Sequence, residues 1–253
     1  MGTYALTGSG SGIGATLAKK LADDGHTVIN IDVKNAEIIA DLSTDQGRQA
    51  AIDAVAELAP DGLDGLVPLA GLGGDVPDGG LVCAVNYYGS VGIVEGLRAL
   101  LAKKQGVVVL LSSNSAAMEI DGDELINALL AGDQAAALAV ANAKQYTGIQ
   151  YMLSKRALAY WMRENVTGLA KDGIRINAIA PGVISTPMTD PLFDTMSDVM
   201  QNFVKETPLQ RTGQPEEIAD FISYLLSPKS SFICGSVLFI DGGYDAVTRP
   251  KHI

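Results

Sequence analysis

Short apolar, β-branched runs alternate with longer stretches of helical period along the whole chain, and this alternation limits the fold more than any other feature. Thr3–Leu6, Gly12–Asp24, Thr27–Ile31, Thr44–Leu58 and Gly65–Leu69 read as strand, helix, strand, helix, strand. The pattern continues with a helix near Leu81–Lys103, a strand at Gly106–Leu111, a helix near Ile149–Lys171, a strand at Ile174–Ile179, a helix near Pro215–Leu226 and a strand at Ser236–Ile240. Strands this apolar are buried on both faces, so the spacing predicts an α/β architecture, a doubly wound parallel sheet with helices on both sides. No Pro-, Ser- or Gly-rich linker divides the 253 residues, which predicts a single domain over 1–253.

Two stretches break the period. Between Ala116 and Gly148 an Ala/Leu-rich segment, Asp123–Lys144, reads as a further helix or helical pair. Between Val183 and Pro208, Met188, Leu192, Phe193, Met196, Met200 and Phe203 recur at roughly helical spacing outside the sheet pattern.

Charge and composition exclude several functions. With 18 Lys and Arg against 29 Asp and Glu, the net charge of -11 repels nucleic acid and anionic membranes, leaving a small molecule as the expected partner. Apolar runs end well short of the roughly 18 residues a membrane span needs, and no basic segment precedes an apolar signal core, so a soluble cytoplasmic protein is expected. Cys83 and Cys234 lie in apolar runs far apart and read as small buried hydrophobes of a reducing compartment, without a disulfide framework. His26 and His252 are the only histidines, too few for a His-ligated metal centre or a Ser/His/Asp triad, and no metal is expected.

The first strand runs into Thr7-Gly8-Ser9-Gly10-Ser11-Gly12-Ile13-Gly14, directly ahead of a helix. Small residues there let the backbone approach a pyrophosphate, and the helix N-terminus offers oriented N–H groups and a favourable dipole. The competing reading is a glycine-rich turn with no ligand. Asp32 ends the second strand, where a carboxylate accepts hydrogen bonds from ribose hydroxyls and repels a 2′-phosphate, selecting NAD over NADP. It could equally be an ordinary turn former, and Lys34 nearby softens the repulsion. Tyr151 and Lys155 stand four apart and project from one helix face, so an ammonium beside a phenol would favour the phenolate. Taken alone, such a pair is commonly surface decoration.

In this order the pieces resemble the short-chain dehydrogenase/reductase family over essentially the full length: TGSGSGIG at 7–14, Asp32, Asp41-Leu42, Ala70-Gly71, Asn86 in VNYYG, Ser113 in LLSSNSA, Tyr151-x-x-x-Lys155, Pro181-Gly182 with Thr186, and Asp241-Gly242-Gly243. The resemblance implies a Rossmann-like fold, NAD as cofactor and a homo-oligomer, dimer or tetramer. It implies that Gly8, Ser11, Gly12, Ile13 and Gly14 cradle the cofactor's phosphates and that Ala70 and Gly71 border it. Ser113 would hydrogen-bond the substrate oxygen, Tyr151 would transfer the proton, and Lys155 would bind the nicotinamide ribose while depressing the Tyr151 pKa. Asn86 would hold a water of the proton relay. Asp41 and Leu42 would lie beside the adenine, and Pro181, Gly182, Val183, Ile184 and Thr186 beside the nicotinamide. The register places the active hydroxyl on Ser113, leaving Ser112 and Ser115 to satisfy nearby backbone groups.

Two departures stand out. Pro68-Leu69-Ala70-Gly71 replaces the family's usual Asn-Ala-Gly, which removes an amide and a backbone donor at the third strand's end, so hydrogen bonding must differ there. The gap between Ser113 and Tyr151 is unusually long, making 116–148 a helical insertion before the catalytic helix. With GHTVINIDVKNAEIIADLSTDQGR at 25–48, AGLG at 70–73 and IDGGYDAVTRP at 240–250, it is similar to the bacterial 3α-hydroxysteroid dehydrogenase/carbonyl reductase branch. In that branch the insertion occupies the usual dimerisation face; a solvated flap is the plainer reading. By the same resemblance 183–208 covers the substrate, although its spacing alone fits a packed amphipathic helix equally well. The implied activity is NAD(H)-dependent interconversion of a secondary alcohol and a ketone, most simply a 3α-hydroxysteroid or another bulky apolar alcohol or carbonyl. An aromatic or terpenoid, coniferyl-type alcohol dehydrogenase and a non-catalytic NAD-binding regulatory module are the alternatives.

Overall fold

The computed structural model describes residues 1–146 and 148–251, so Thr147 of the expected insertion and His252 lie outside the described residues. Seven strands, β1 (Thr3–Thr7), β2 (Thr27–Asp32), β3 (Ile38–Ile39), β4 (Gly65–Pro68), β5 (Val107–Leu111), β6 (Arg175–Pro181) and β7 (Val237–Ile240), pair in parallel in the order β3-β2-β1-β4-β5-β6-β7. The direction of winding reverses between β1 and β4, which opens a crevice beyond the carboxyl ends of these strands.

Alternate residues of each strand feed two separate cores, as a period of two requires. Ala5, Leu66, Val108 and Ile176 face α2 (Asp45–Leu58), α4 (Ser90–Lys104) and α7 (Gln150–Lys171). Leu6, Val67, Val109 and Ile179 face α1 (Gly12–Asp23) and α10 (Pro215–Leu226). Local chemistry sets the helix starts. The Thr44 side chain accepts from Gly47 N–H ahead of α2, and Pro215 with the Gln214/Glu217 capping box opens α10.

The expected elements are present, with informative differences. The two-residue β3 has no counterpart in the sequence reading. The helix expected at Leu81–Lys103 begins earlier as α3 (Gly79–Cys83) and passes through a wide π-type turn, Ala84–Gly89, before α4. Pro68 sits inside β4, paired with Thr7 of β1, but the ladder to β5 stops at Leu66 and Val108, so the missing N–H falls where that pairing has ended. Cys83 is buried as expected, and burial pushes its thiol up to about 12. Cys234 corrects the reading: it is exposed, in the turn before edge strand β7, where its apolar neighbour Phe232 is fully exposed too. His26 is structural, its Nδ1 accepting from Gly2 N–H at 3.0 Å and its ring edge-on to Tyr4. No helix among the described residues is long and apolar enough to cross a membrane.

The segment 116–148 forms α5 (Asp123–Leu130) and α6 (Gln134–Ala141), a helical pair. It is core, not flap: Leu125, Leu129, Ala137 and Ala141 are fully buried in the same cluster as Leu153, Leu158 and Trp161 of α7. α5 packs on α7, α6 packs on α3, and Arg48 of α2 donates to Gln134 Oε1 at 2.7 Å. Leu125→Ala therefore removes fully buried volume, and urea unfolding is expected to show a loss of about 2–5 kcal/mol. A solvated flap would lose less than about 0.5 kcal/mol. The stretch 183–208 contains α8 (Leu192–Thr195) and α9 (Ser197–Glu206), and α11 (Tyr244–Thr248) follows β7.

Candidate active site

The cleft at the winding reversal is built first from the tips of β1 and β4. Thr7 holds them together, its carbonyl accepting from Leu69 N–H and its hydroxyl from Ala70 N–H, both at 3.1 Å. Gly8 then turns with φ of +68°, and a Cβ on it would lie 2.6 Å from the Ala70 nitrogen. Gly14, in the first turn of α1, is still more confined, because its Cβ would stand 2.0 Å from the Gly8 carbonyl oxygen. The first turn of α1 carries no acidic residue, and its N-cap, Ser11, makes no side-chain hydrogen bond. Main-chain donors of that turn are thus available to an anion, as a pyrophosphate requires.

Asp32 ends β2 beside this loop. Its Oδ2 accepts from Gly10 N–H at 2.9 Å, so the carboxylate shapes the glycine loop while also lining the cleft. Asp41 lines the same end with Leu42, its carboxylate taking the Ser43 N–H and hydroxyl. Together with the glycine cradle, this carboxylate at a strand end fits an adenine dinucleotide, its phosphates on α1 and a ribose at Asp32.

At the other end of the cleft, β5 delivers Ser113 and α7 delivers Tyr151. Ser113 caps the short turn Asn114–Ala117, its Oγ accepting from Ser115 N–H at 3.2 Å and lying 2.8 Å from Ser115 Oγ. Ser112 is buried and donates to the Lys155 carbonyl at 3.0 Å, the backbone role expected of it. Ser115 differs, since its hydroxyl partners Ser113 rather than the backbone.

Lys155 corrects the expected electrostatics. Its Nζ donates to the Leu111 carbonyl at 2.8 Å and lies 5.9 Å from the Tyr151 ring centroid, under the ring rather than at the hydroxyl. Burial therefore dominates and raises the Tyr151 phenol above its ordinary value, and the influence lowering it is a hydrogen bond with Ser113. Lys155 itself is brought down to about 8 by desolvation.

Asn86 is fully buried on the π-type turn. Its Oδ1 accepts from Leu72 N–H at 2.8 Å, and its Nδ2 donates to the Leu72 carbonyl at 3.1 Å and to Ser154 Oγ at 3.3 Å. The amide hydrogens are committed, so the side chain fastens the Gly71–Leu72 backbone instead of presenting an amide to a water.

Pro181, Gly182, Ile184 and Thr186 close the cleft from above. Thr186 is itself held: its N–H donates to Thr189 Oγ1 at 3.1 Å, its hydroxyl lies 3.0 Å from the same atom, and Thr189 donates to the Ile184 carbonyl. Gly8, Ser11, Gly12, Ile13, Gly14, Asp32, Asp41, Leu42, Ala70, Gly71, Ser113 and Tyr151 complete the lining among the expected residues. Lys155 and Asn86 lie just behind it. Val183 is the exception: its carbonyl takes Gly213 N–H at 2.9 Å, and it lines a separate small cavity with Thr207 and Gly242. Met188 and Thr189, from the stretch expected to cover the substrate, line the cleft too, whereas Val33, Ala40, Leu69, Leu72, Val85 and Leu111 were not expected as lining residues.

Residues 134–245 match the family described as enoyl-(acyl carrier protein) reductase. The chain is 37% identical to the 3-alpha-hydroxysteroid dehydrogenase/carbonyl reductase of Comamonas testosteroni, over 100% of both chains. It is 29% identical to the cyclohexanol dehydrogenase of an Acinetobacter species, over 94% of this chain and 93% of that one. The crystal structure of the 3-alpha-hydroxysteroid dehydrogenase from Pseudomonas sp. B-0831, complexed with NADH, superimposes with a TM-score of 0.94 at 42% identity, covering 99% of this chain and 100% of that one. Similarity of this degree, end to end in sequence and in backbone, means that the chain belongs to the short-chain dehydrogenase/reductase family.

Proposed function

We propose that the protein is an NAD(H)-dependent oxidoreductase that interconverts a secondary alcohol and a ketone, with a 3α-hydroxysteroid or a similarly bulky apolar alcohol or carbonyl as substrate. The observation that carries this reading is that Ser113 and Tyr151 together line one end of a cleft whose other end is the glycine cradle. The names of the relatives, hydroxysteroid dehydrogenase, carbonyl reductase and cyclohexanol dehydrogenase, support the substrate class.

The cofactor, when bound, supplies the hydride for reduction and accepts it for oxidation. Ser113 and Tyr151 hydrogen-bond the substrate oxygen, and Tyr151 gives its proton to the forming alkoxide or takes one from the alcohol. Lys155 holds a positive charge beneath the ring and reaches the nicotinamide ribose, while Asn86 secures the Gly71–Leu72 backbone on the cofactor's flank. The segment 183–208 covers the substrate, its Met and Phe side chains offering an adaptable apolar wall.

The chain acts as one domain and self-associates as a homodimer. Support for the dimer comes from α5 and α6 covering α3 and α7, while the α10–β7 side leaves Phe232 and Tyr224 in solvent. Light scattering of the purified protein reads this mass. Free cysteines at 83 and 234 suit the reducing cytoplasm.

The activity is tested by NADH absorbance with a panel of steroid, aryl and cycloalkyl ketones, run beside NADPH. NADH is expected to be preferred by about 10-fold or more, and Asp32→Ala to relax that preference by admitting a 2′-phosphate. NADH bound but never oxidised by any ketone would mark a binding module instead.

A further inference from the structure

One residue past Lys155, α7 carries a guanidinium whose partners are all main-chain carbonyls. Arg156 Nε donates to Ala116 O at 2.7 Å, Nη1 to Ile120 O at 3.1 Å and Nη2 to Met118 O. A single rigid fork thus takes alternate carbonyls across the segment that leaves Ser113 and enters α5. Among the described residues it forms no ion pair, so the charge is committed to these three dipoles.

That segment connects directly to the reacting hydroxyls. Ala116 N–H donates to the Ser113 carbonyl at 3.1 Å and Met118 N–H to the Ser115 carbonyl at 3.2 Å, so the carbonyls bound by Arg156 lie in the turn that Ser113 opens and in the residues directly after it. On the near side of Ser113, Ser112 is tied to the Lys155 carbonyl. Ser113 is thereby held to α7 from both directions, with Tyr151 one turn earlier on the same helix.

We propose that Arg156 is a positioning residue for Ser113: it holds the 114–120 segment against α7 so that the Ser113 hydroxyl keeps its place beside Tyr151 in the cleft. This rests on the roles given to Ser113 and Tyr151 above. A purely structural anchor of the insertion would influence stability alone. A positioning residue also influences the acidity of the phenol, because the neighbouring Ser113 hydroxyl is what opposes the effect of burial there. Moving that hydroxyl away shifts the phenol upward, and alcohol oxidation, which needs the phenolate, then begins at higher pH.

Arg156→Lys is the test, since it keeps the charge and the stem but replaces a planar fork with one point donor. The expected result is a fall in kcat/KM of about 10- to 100-fold, mostly in kcat, as for a misplaced catalytic group. NADH affinity, read by fluorescence titration, stays within about twofold, and the rising limb of the alcohol-oxidation pH profile shifts upward. Leu125→Ala is the control for general loosening of the insertion and is expected to lower Tm without moving the limb. A Tm change in Arg156→Lys with an unmoved limb overturns the proposal, as does an equal limb shift in Leu125→Ala. A wild type that reduces no ketone overturns the reading beneath it as well, whereas Tyr151-dependent turnover that Arg156→Lys leaves unchanged overturns the clamp alone.

Discussion

Tyr151→Phe is expected to bind NADH within about twofold of wild type and to reduce ketones about 1000-fold more slowly, the scale of a lost general acid. The substitution removes one oxygen and leaves the ring that fills the cleft wall, so the cradle at Gly8–Gly14, at the far end, is untouched. Binding and turnover thus separate. A variant keeping more than about a tenth of wild-type kcat would exclude the phenol as the proton donor. The wild-type pH profile carries the same assignment. Burial raises the phenol, so it stays protonated throughout the neutral range, while Lys155 loses its charge near pH 8. Ketone reduction is therefore expected to hold level through neutral pH and to decline as the pH rises past about 8, with Lys155.

Gly14→Ala is expected to weaken NADH binding by about 100-fold and to lower Tm by about 5 °C, an overpacking cost of roughly 1–3 kcal/mol. Its methyl would sit 2.0 Å from the Gly8 carbonyl oxygen. Gly8 cannot retreat, because it already packs against the Ala70 backbone, where its own Cβ would approach to 2.6 Å. The start of α1 must move instead, and with it the main-chain donors aimed at the pyrophosphate. Gly25→Ala is the matched control: it is strained by a φ of +83° but meets nothing within 4 Å, so only stability should change. Equal losses of NADH affinity in both variants would mean that the cradle does not hold the cofactor.

The sheet was legible because parallel strands buried on both faces leave near-continuous apolar runs, as at Val107–Leu111. Two residues of β3 leave no period to read. The π-type turn around Asn86 has no composition signature, since it is one extra residue per turn in an otherwise helical stretch. Cys234 was misjudged from its apolar neighbours, which here lie beside an edge strand whose residues are all partly exposed. Tyr151 and Lys155 were correctly placed on one face by their spacing. The direction of the ammonium was not readable, because its partner is the carbonyl of Leu111, 44 residues away in sequence. Val183 shows the same limit, with its carbonyl turned toward Gly213 and away from the cleft. The Arg156 ladder has no sequence signal at all, as any residue supplies a carbonyl.

The bridge at Ile184 and Gly213 has a consequence for how such a protein can diversify. Gly213 N–H donates to the Val183 carbonyl and Ser185 N–H to the Gly213 carbonyl, so the chain between them leaves and rejoins the body through one clasp. Inside the clasp the returning limb stays tied to the body, with Leu209 N–H donating to the Gly242 carbonyl and Phe203 packed on Tyr244, whereas residues near 194–199 are mostly exposed, and lengthening the chain there adds only a logarithmic entropic term. Residues near 194–199 can therefore change while Tyr151 and Lys155 on α7 keep the geometry they already have.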